Sequence, residues 1–317
     1  MQILELPQPS GADPAFRNGS GHQLTPRGLD RARENPDALH VLLACEASPP
    51  AADDLGERDD LSHRPDCYHG RRGVGNVESP PALRRSTLAA KSDTVRLVCF
   101  GDIHMAFHAV ERLAATLREA DCAILVGDLT NFGDPPDAFR VVDAVRAHCP
   151  NVLAVTGNLD MPQVIDAFRA EGISLHGEGR RLGPVGIFGC GGSNVTPMDT
   201  PTELEEDDIR ATLERGHEAV ADAPLRLMVC HTPPFDTRLD RLVNGRPVGS
   251  PAVRAFIETH RPHVAVVGHI HEGRGIDRVG DTMVANGGAL RDGGYLVVTD
   301  DADGLHVELR NFRSAAA

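Results

Sequence analysis

Three apolar, β-branched runs end in a glycine followed by a side chain that can bind a metal: VRLVCFGD (95–102), CAILVGD (122–128) and NVLAVTGN (151–158). A helical pattern follows each of them. AFHAVERLAATLREA comes after the first, PPDAFRVVDAVRAHC with proline at its start after the second, and MPQVIDAFRAEG closing at a glycine after the third. Strands alternating with helices of this length imply βαβ units and a sheet with parallel pairing. This constrains the fold more than any other feature of the chain.

The second half continues differently. RRLGPVGIFGCGG (180–192) reads as a turn and a short strand, and TELEEDDIRATLERGHEAVADA (202–223) as a long acidic helix. Its acidic start, ELEEDD (203–208), reads as a solvated N-terminus favoured by the helix dipole. LRLMVCH (225–231) is a strand ending in histidine, SPAVRAFIETHRP a helix with a serine cap, and HVAVVGHIH a further strand running into two histidines. The tail reads as consecutive strands with Gly/Asp turns, antiparallel to one another. Residues 1–94 are dense in Pro, Gly, Arg and Asp, and only ALHVLLA (38–44) looks like a core element. This front is expected to be disordered, or an over-extended start foreign to the native protein, with the patterned domain spanning 95–317.

Composition removes several function classes. The formal net charge is −14 and no block of Lys/Arg occurs, which argues against a nucleic-acid surface. No apolar stretch approaches the ~20 residues that span a bilayer, and the start lacks a basic n-region, so no membrane role is expected. The seven cysteines are odd in number and form no C-x-x-C pair, as expected for a reducing, cytoplasmic location. Nothing in the sequence specifies an oligomer.

Five strand ends carry the chemistry: Asp102 and His104, then Asp128, Asn158, His231, and finally His269 with His271. Taken singly, each is an ordinary turn or loop residue. In α/β sheets, however, ligands bind at the carboxyl ends of strands, so all seven can meet at one rim. Three oxygen donors and four imidazoles suit a divalent first-row metal better than Ca²⁺. Two such ions can neutralise the charge of a phosphate ester and generate hydroxide near neutral pH. Asp128, central in the strand order, is the natural bridging carboxylate.

GDIH, GDL, GN, an isolated His after a strand, and GHIH occur here in the order of the calcineurin-like metallophosphoesterases. The surrounding GDLTNFGDP, TGNLD and GHIHEGRGID resemble the Icc-related predicted phosphoesterases in particular. The resemblance implies an α/β fold, a two-sheet sandwich flanked by helices. It implies one metal on Asp102, His104, Asp128 and His271, and a second on Asp128, Asn158, His231 and His269. Mn²⁺ is the first expectation, with Fe or Zn as alternatives. The implied reaction is hydrolysis of a small phosphoester, a diester preferred, by a metal-bridging hydroxide, with Asp128 and Asn158 positioning it.

Two positions depart from the family pattern. Many members carry GNHD or GNHE, whose histidine contacts the phosphate or acts as general acid; here that position is Leu159. The usual GDxxD becomes GDLTN, with Asn131 in place of the second carboxylate. The replacement proton donors considered are His108 and Asp160. Outside the ligand set, Arg274 is a candidate phosphate contact, Asn286 a loop-positioning residue and Thr232 a turn residue. The alternative to an enzyme is a metal-binding scaffold of the same fold whose catalysis has weakened.

Overall fold

The computed structural model describes residues 87–88 and 94–313. The expectations for residues 1–94, including the core element at 38–44, otherwise lie outside the described residues. Thr87–Leu88 (β1) joins a sheet through β5, so the folded region takes in residues ahead of the expected boundary. The first half then runs β2 (Arg96–Phe100), α1 (Phe107–Arg112), α2 (Ala114–Glu119), β3 (Cys122–Val126), α3 (Pro135–Arg146), β4 (Val152–Val155) and α4 (Gln163–Ala170). The second half runs β5 (Gly179–Leu182), β6 (Val185–Cys190), β7 (Ser193–Asn194), β8 (Glu203–Leu204), α5 (Glu206–Glu218), β9 (Leu225–Cys230) and α6 (Pro251–His260). It ends with β10 (Val264–Val267), β11 (Gly275–Val279), β12 (Thr282–Asn286), β13 (Gly294–Asp301) and β14 (Gly304–Asn311).

These strands build a five-stranded sheet, β14-β13-β2-β3-β4, and a seven-stranded sheet, β1-β5-β6-β9-β10-β12-β11. The parallel pairing implied by the alternating pattern holds for β2–β3–β4, and β6, β9, β10 and β12 are likewise parallel. The apolar runs are continuous because each strand is covered on both faces. Along β3, Cys122, Ile124 and Val126 face the interior between the sheets, while Ala123 and Leu125 pack with Val110, Leu117, Val141 and Phe168 from α1–α4. Along β9, Leu227 and Val229 enter the same interior, while Met228 and Cys230 pack with Leu213 and Phe256 from α5 and α6. The result is the expected sandwich flanked by helices.

Several local expectations change. The segment 180–192 forms two strands rather than one, an antiparallel hairpin of β5 and β6. Its turn places Gly183 at φ +54°. The acidic helix begins at Glu206, because Glu203–Leu204 pairs with Ser193–Asn194 instead. The tail is divided between the sheets: β12 lies parallel to β10 in one, while β13 and β14 form a hairpin on the β2 edge of the other. β11, antiparallel to β12, is a strand the sequence pattern did not announce. The serine cap is present, with the Ser250 side chain accepting from the Val253 N–H. No helix among the described residues is long and apolar enough to cross a membrane.

Candidate metal centre

The carboxyl ends of β2, β3 and β4 in one sheet face those of β9 and β10 in the other, and the seven residues read from the sequence gather there. The loops are zipped together in pairs. The Ile103 and His104 N–H groups donate to the Asp128 carbonyl (2.8 and 3.0 Å), and the Gly268 N–H donates to the His231 carbonyl (2.9 Å). Hydrogen bonds also cross between the sheets here. His231 Nδ1 donates to the Val126 carbonyl at 2.7 Å, and the His269 N–H reaches the Asp102 carboxylate at 3.2 Å.

Two groups result whose donor atoms could hold a metal ion: Asp102, His104 and His271, and Asp102, Asp128 and His231. In the first, His271 Nε2 is 3.4 Å from Asp102 Oδ1 and 3.5 Å from His104 Nε2. In the second, His231 Nε2 is 3.6 Å from Asp128 Oδ1 and 3.2 Å from Asn158 Oδ1. Asp102 is the carboxylate common to these two groups, where the sequence reading had singled out Asp128. The His269 ring lies 5.2 Å from that of His231, centroid to centroid.

The glycines before Asp128 and Asn158 make room for neighbouring side chains of the cluster. A Cβ on Gly157 would lie 1.9 Å from Asp128 Oδ1, and one on Gly127 would lie 2.4 Å from His231 Nδ1. Asp102, His104, Asp128 and His269 themselves hold left-handed backbone, with φ of 49°, 49°, 47° and 67°. Such conformations cost about 1–3 kcal/mol each and persist where the surroundings over-determine them, as at a preorganised site.

The electrostatics favour cations. Burial opposes charge on His231, yet the Asp128 carboxylate, with help from Asp102, more than offsets it and pushes the imidazole up to about 10. Burial likewise raises Asp102 and Asp128, but His271 for the first and His231 for the second hold both carboxyls below the usual carboxylate range. His269, enclosed and beside His231, is pushed down to about 4.

The two candidate proton donors are not presented to this cluster. Asp160 is fully buried. Its carboxylate accepts from the Leu129, Thr130 and Gly157 N–H groups and from the Thr130 hydroxyl, at 3.2, 2.9, 2.8 and 2.8 Å. It clamps the loops after β3 and β4 together, and burial beside Asp128 raises its pKa to about 6. His108 is exposed on α1, and no hydrogen bond joins it to the seven. At position 159 the backbone serves the site, the Leu159 N–H donating to Asp128 Oδ1 at 2.9 Å.

Other expectations resolve similarly. Arg274 turns to the Arg310 carbonyl (3.2 Å). Asn286 supports the GHIH turn through the Ile270 carbonyl (2.9 Å), and Thr232 donates to Asn194 Oδ1 (2.7 Å). Sequence reading missed Thr200 and Glu203. Thr200 accepts from Asn158 Nδ2 at 3.0 Å, and Glu203, expected in a solvated run, bonds Thr196 and Thr200. Glu206, in the same run, accepts from the Ser250 hydroxyl at 2.6 Å.

Fold and site together define a two-sheet protein with a cation-suited cluster of imidazoles and carboxylates at its strand ends. The chain belongs to the calcineurin-like phosphoesterase family, which residues 95–273 match. It is 30% identical over 200 residues to the uncharacterized protein MJ1162 of Methanocaldococcus jannaschii, a likeness covering 61% of this chain and 87% of that protein. The crystal structure of TT1561 of Thermus thermophilus is similar with a TM-score of 0.55 at 19% identity, covering 69% of this chain and 100% of that one. That likeness is one of fold.

Proposed function

We propose that this protein is a dinuclear metal-dependent phosphoesterase that prefers phosphodiesters, with Mn²⁺ as its first-choice metal. The observation that carries this reading is the facing of imidazole Nε2 atoms and carboxylate oxygens at 3.4–3.6 Å, in two groups sharing Asp102. The donor set fits divalent cations: two buried carboxylates supply negative charge, and mixed N/O donors suit Mn, Fe or Zn. Asp102, His104, Asp128 and His271 would hold one ion, and Asp128, Asn158, His231 and His269 the other. Asp128 suits a position between them, since both His231 and His104 act on its charge. Bound divalent ions neutralise phosphoryl charge and acidify water.

The chain's own groups do the rest. The zipped loops and the Asp160 clamp fix the donors before substrate arrives, so little reorganisation accompanies reaction. Leu159 offers no proton to a departing oxygen, and Asp160 is enclosed. Substrates whose leaving group departs without a side-chain acid are therefore favoured, and the diester preference rests on the likeness to the family.

The test is turnover of bis-p-nitrophenyl phosphate and p-nitrophenyl phosphate with added Mn²⁺, beside Asp128→Asn. The expected result is faster diester than monoester hydrolysis, and a loss of about 100-fold or more in the variant. Two bound ions without turnover at any pH would instead favour the scaffold alternative. Full activity in Asp128→Asn would overturn the assignment of the site.

A further inference from the structure

We infer that the two ends of the site are held by separate supports: Asn131 behind His104, and Thr200, gripped by Glu203, behind Asn158. This rests on the dinuclear reading above and extends it to residues that touch no ion.

The argument for Thr200 follows protons. A carboxylate only accepts, and Glu203 takes the Thr196 N–H at 3.0 Å, the Thr200 N–H at 2.8 Å, the Thr200 hydroxyl at 2.6 Å and the Thr196 hydroxyl. The single hydroxyl proton of Thr200 is thereby committed, leaving its oxygen to accept. The group facing it must be the NH₂ of Asn158, which donates at 3.0 Å. The amide cannot then flip, and its Oδ1 is turned toward His231 Nε2 at 3.2 Å. His231 donates from Nδ1 to the Val126 carbonyl, so in the neutral ring Nε2 carries a lone pair. A cation that displaces the Nε2 proton would find both this lone pair and Asn158 Oδ1 directed at it. Thr200 and Asn158 are both buried, so water does not compete for these bonds.

The opposite end obeys the same logic with different parts. Asn131 Oδ1 lies 2.8 Å from His104 Nδ1, and an amide oxygen accepts, so the proton sits on Nδ1. His104 Nε2 is then bare, 3.5 Å from His271 Nε2. Partners of this kind orient a ligand and fix its tautomer, and their loss typically costs about 10–100-fold in metal affinity. The supports share no residue. Asn131 follows β3, whereas Thr200 and Glu203 belong to the segment from β7 into β8. Asn131 and Thr200 are thus positioning residues for different ions.

The test is calorimetric titration of the metal-free full chain with Mn²⁺ at fixed pH. The wild type should show two binding events. Thr200→Val should weaken one about 10–100-fold and leave the other within twofold. Asn131→Ala should weaken the other event, and the double variant both. Thr200→Ser and Asn131→Asp, which keep the accepting oxygens, should restore the respective events. Glu203→Ala, which removes both accepting oxygens and frees the Thr200 proton, should reproduce the Thr200→Val pattern should that variant fold poorly. Two wild-type events with equal losses, or none, in both single variants overturn this inference alone. A single wild-type event overturns the dinuclear reading as well.

Discussion

Gly157, Asn158, Leu159 and Asp160 are adjacent, and each acts on Asp128 or its surroundings in a different way. Gly157 leaves space: an added Cβ would collide with Asp128 Oδ1 and also lie 2.2 Å from the Asp128 backbone nitrogen. Gly157→Ala should therefore cost about 1–3 kcal/mol in urea unfolding, the usual range for overpacking, and lower Mn²⁺ affinity. Unchanged stability and affinity would mean that the carboxylate can move aside freely. Leu159 withholds a proton. Leu159→His should raise turnover of esters with poor leaving groups by about tenfold or more, while p-nitrophenyl esters change little. An equal effect on both would remove the argument for a missing acid. The gathering of the seven side chains was legible because each closes an apolar strand, so position along a strand fixes where the side chain arrives. Asp160 read as a candidate proton donor because its chemistry suits one, and only the fold reveals the N–H groups that enclose it. Thr200 and Glu203 were illegible for a related reason. Thr200 lies just ahead of the helical pattern and Glu203 read as its solvated start, and their role depends on Asn158, 42 residues earlier in the case of Thr200.

Elements that carry their own boundary signals were the readable ones. α3 starts at an Asp134 cap with proline following, and α6 at a Ser250 cap with proline following. Ser250 also reaches across to Glu206 at the start of α5, tying the two outer helices. Ser250→Ala should destabilise the protein by about 1–3 kcal/mol, the cap and the buried polar contact together, as read by urea unfolding. A loss within about 0.5 kcal/mol would mean that α6 is held by Val253, Phe256 and Ile257 packing alone. β11 was unreadable because four of its five residues are only partly or not buried, so GIDRV lacks the apolar signature of the central strands. The tail strands were visible as strands, but sheet membership depends on which partner edge is free, and no local pattern encodes that.

Across the whole molecule, the segment 174–176 stitches the two sheets together, Ser174 bridging to Ala154 in β4 and His176 bridging to Gly189 in β6. The His176 ring accepts from the Gly191 N–H at 3.1 Å. Burial, then Arg169 and Arg215, push its pKa from 6.5 down to about 4. Between these values the unfolded chain binds a proton that the folded chain refuses, so stability falls as pH drops from about 6.5 to 4 and levels off below. The window corresponds to roughly 3 kcal/mol. Urea unfolding at pH 7 and about pH 4.5 should show most of this loss, and His176→Gln should reduce it by about 2 kcal/mol or more. The same loss in the variant would place the pH sensitivity elsewhere. The sandwich brings strand ends from both sheets to one edge, and on the proposed dinuclear reading neither sheet alone carries a complete set of donors. The most direct measurement of that claim titrates metal-free protein with Mn²⁺ while following bis-p-nitrophenyl phosphate hydrolysis. Activity should rise to a plateau at two equivalents per chain. A plateau at one equivalent, or no hydrolysis with both ions bound, contradicts the account.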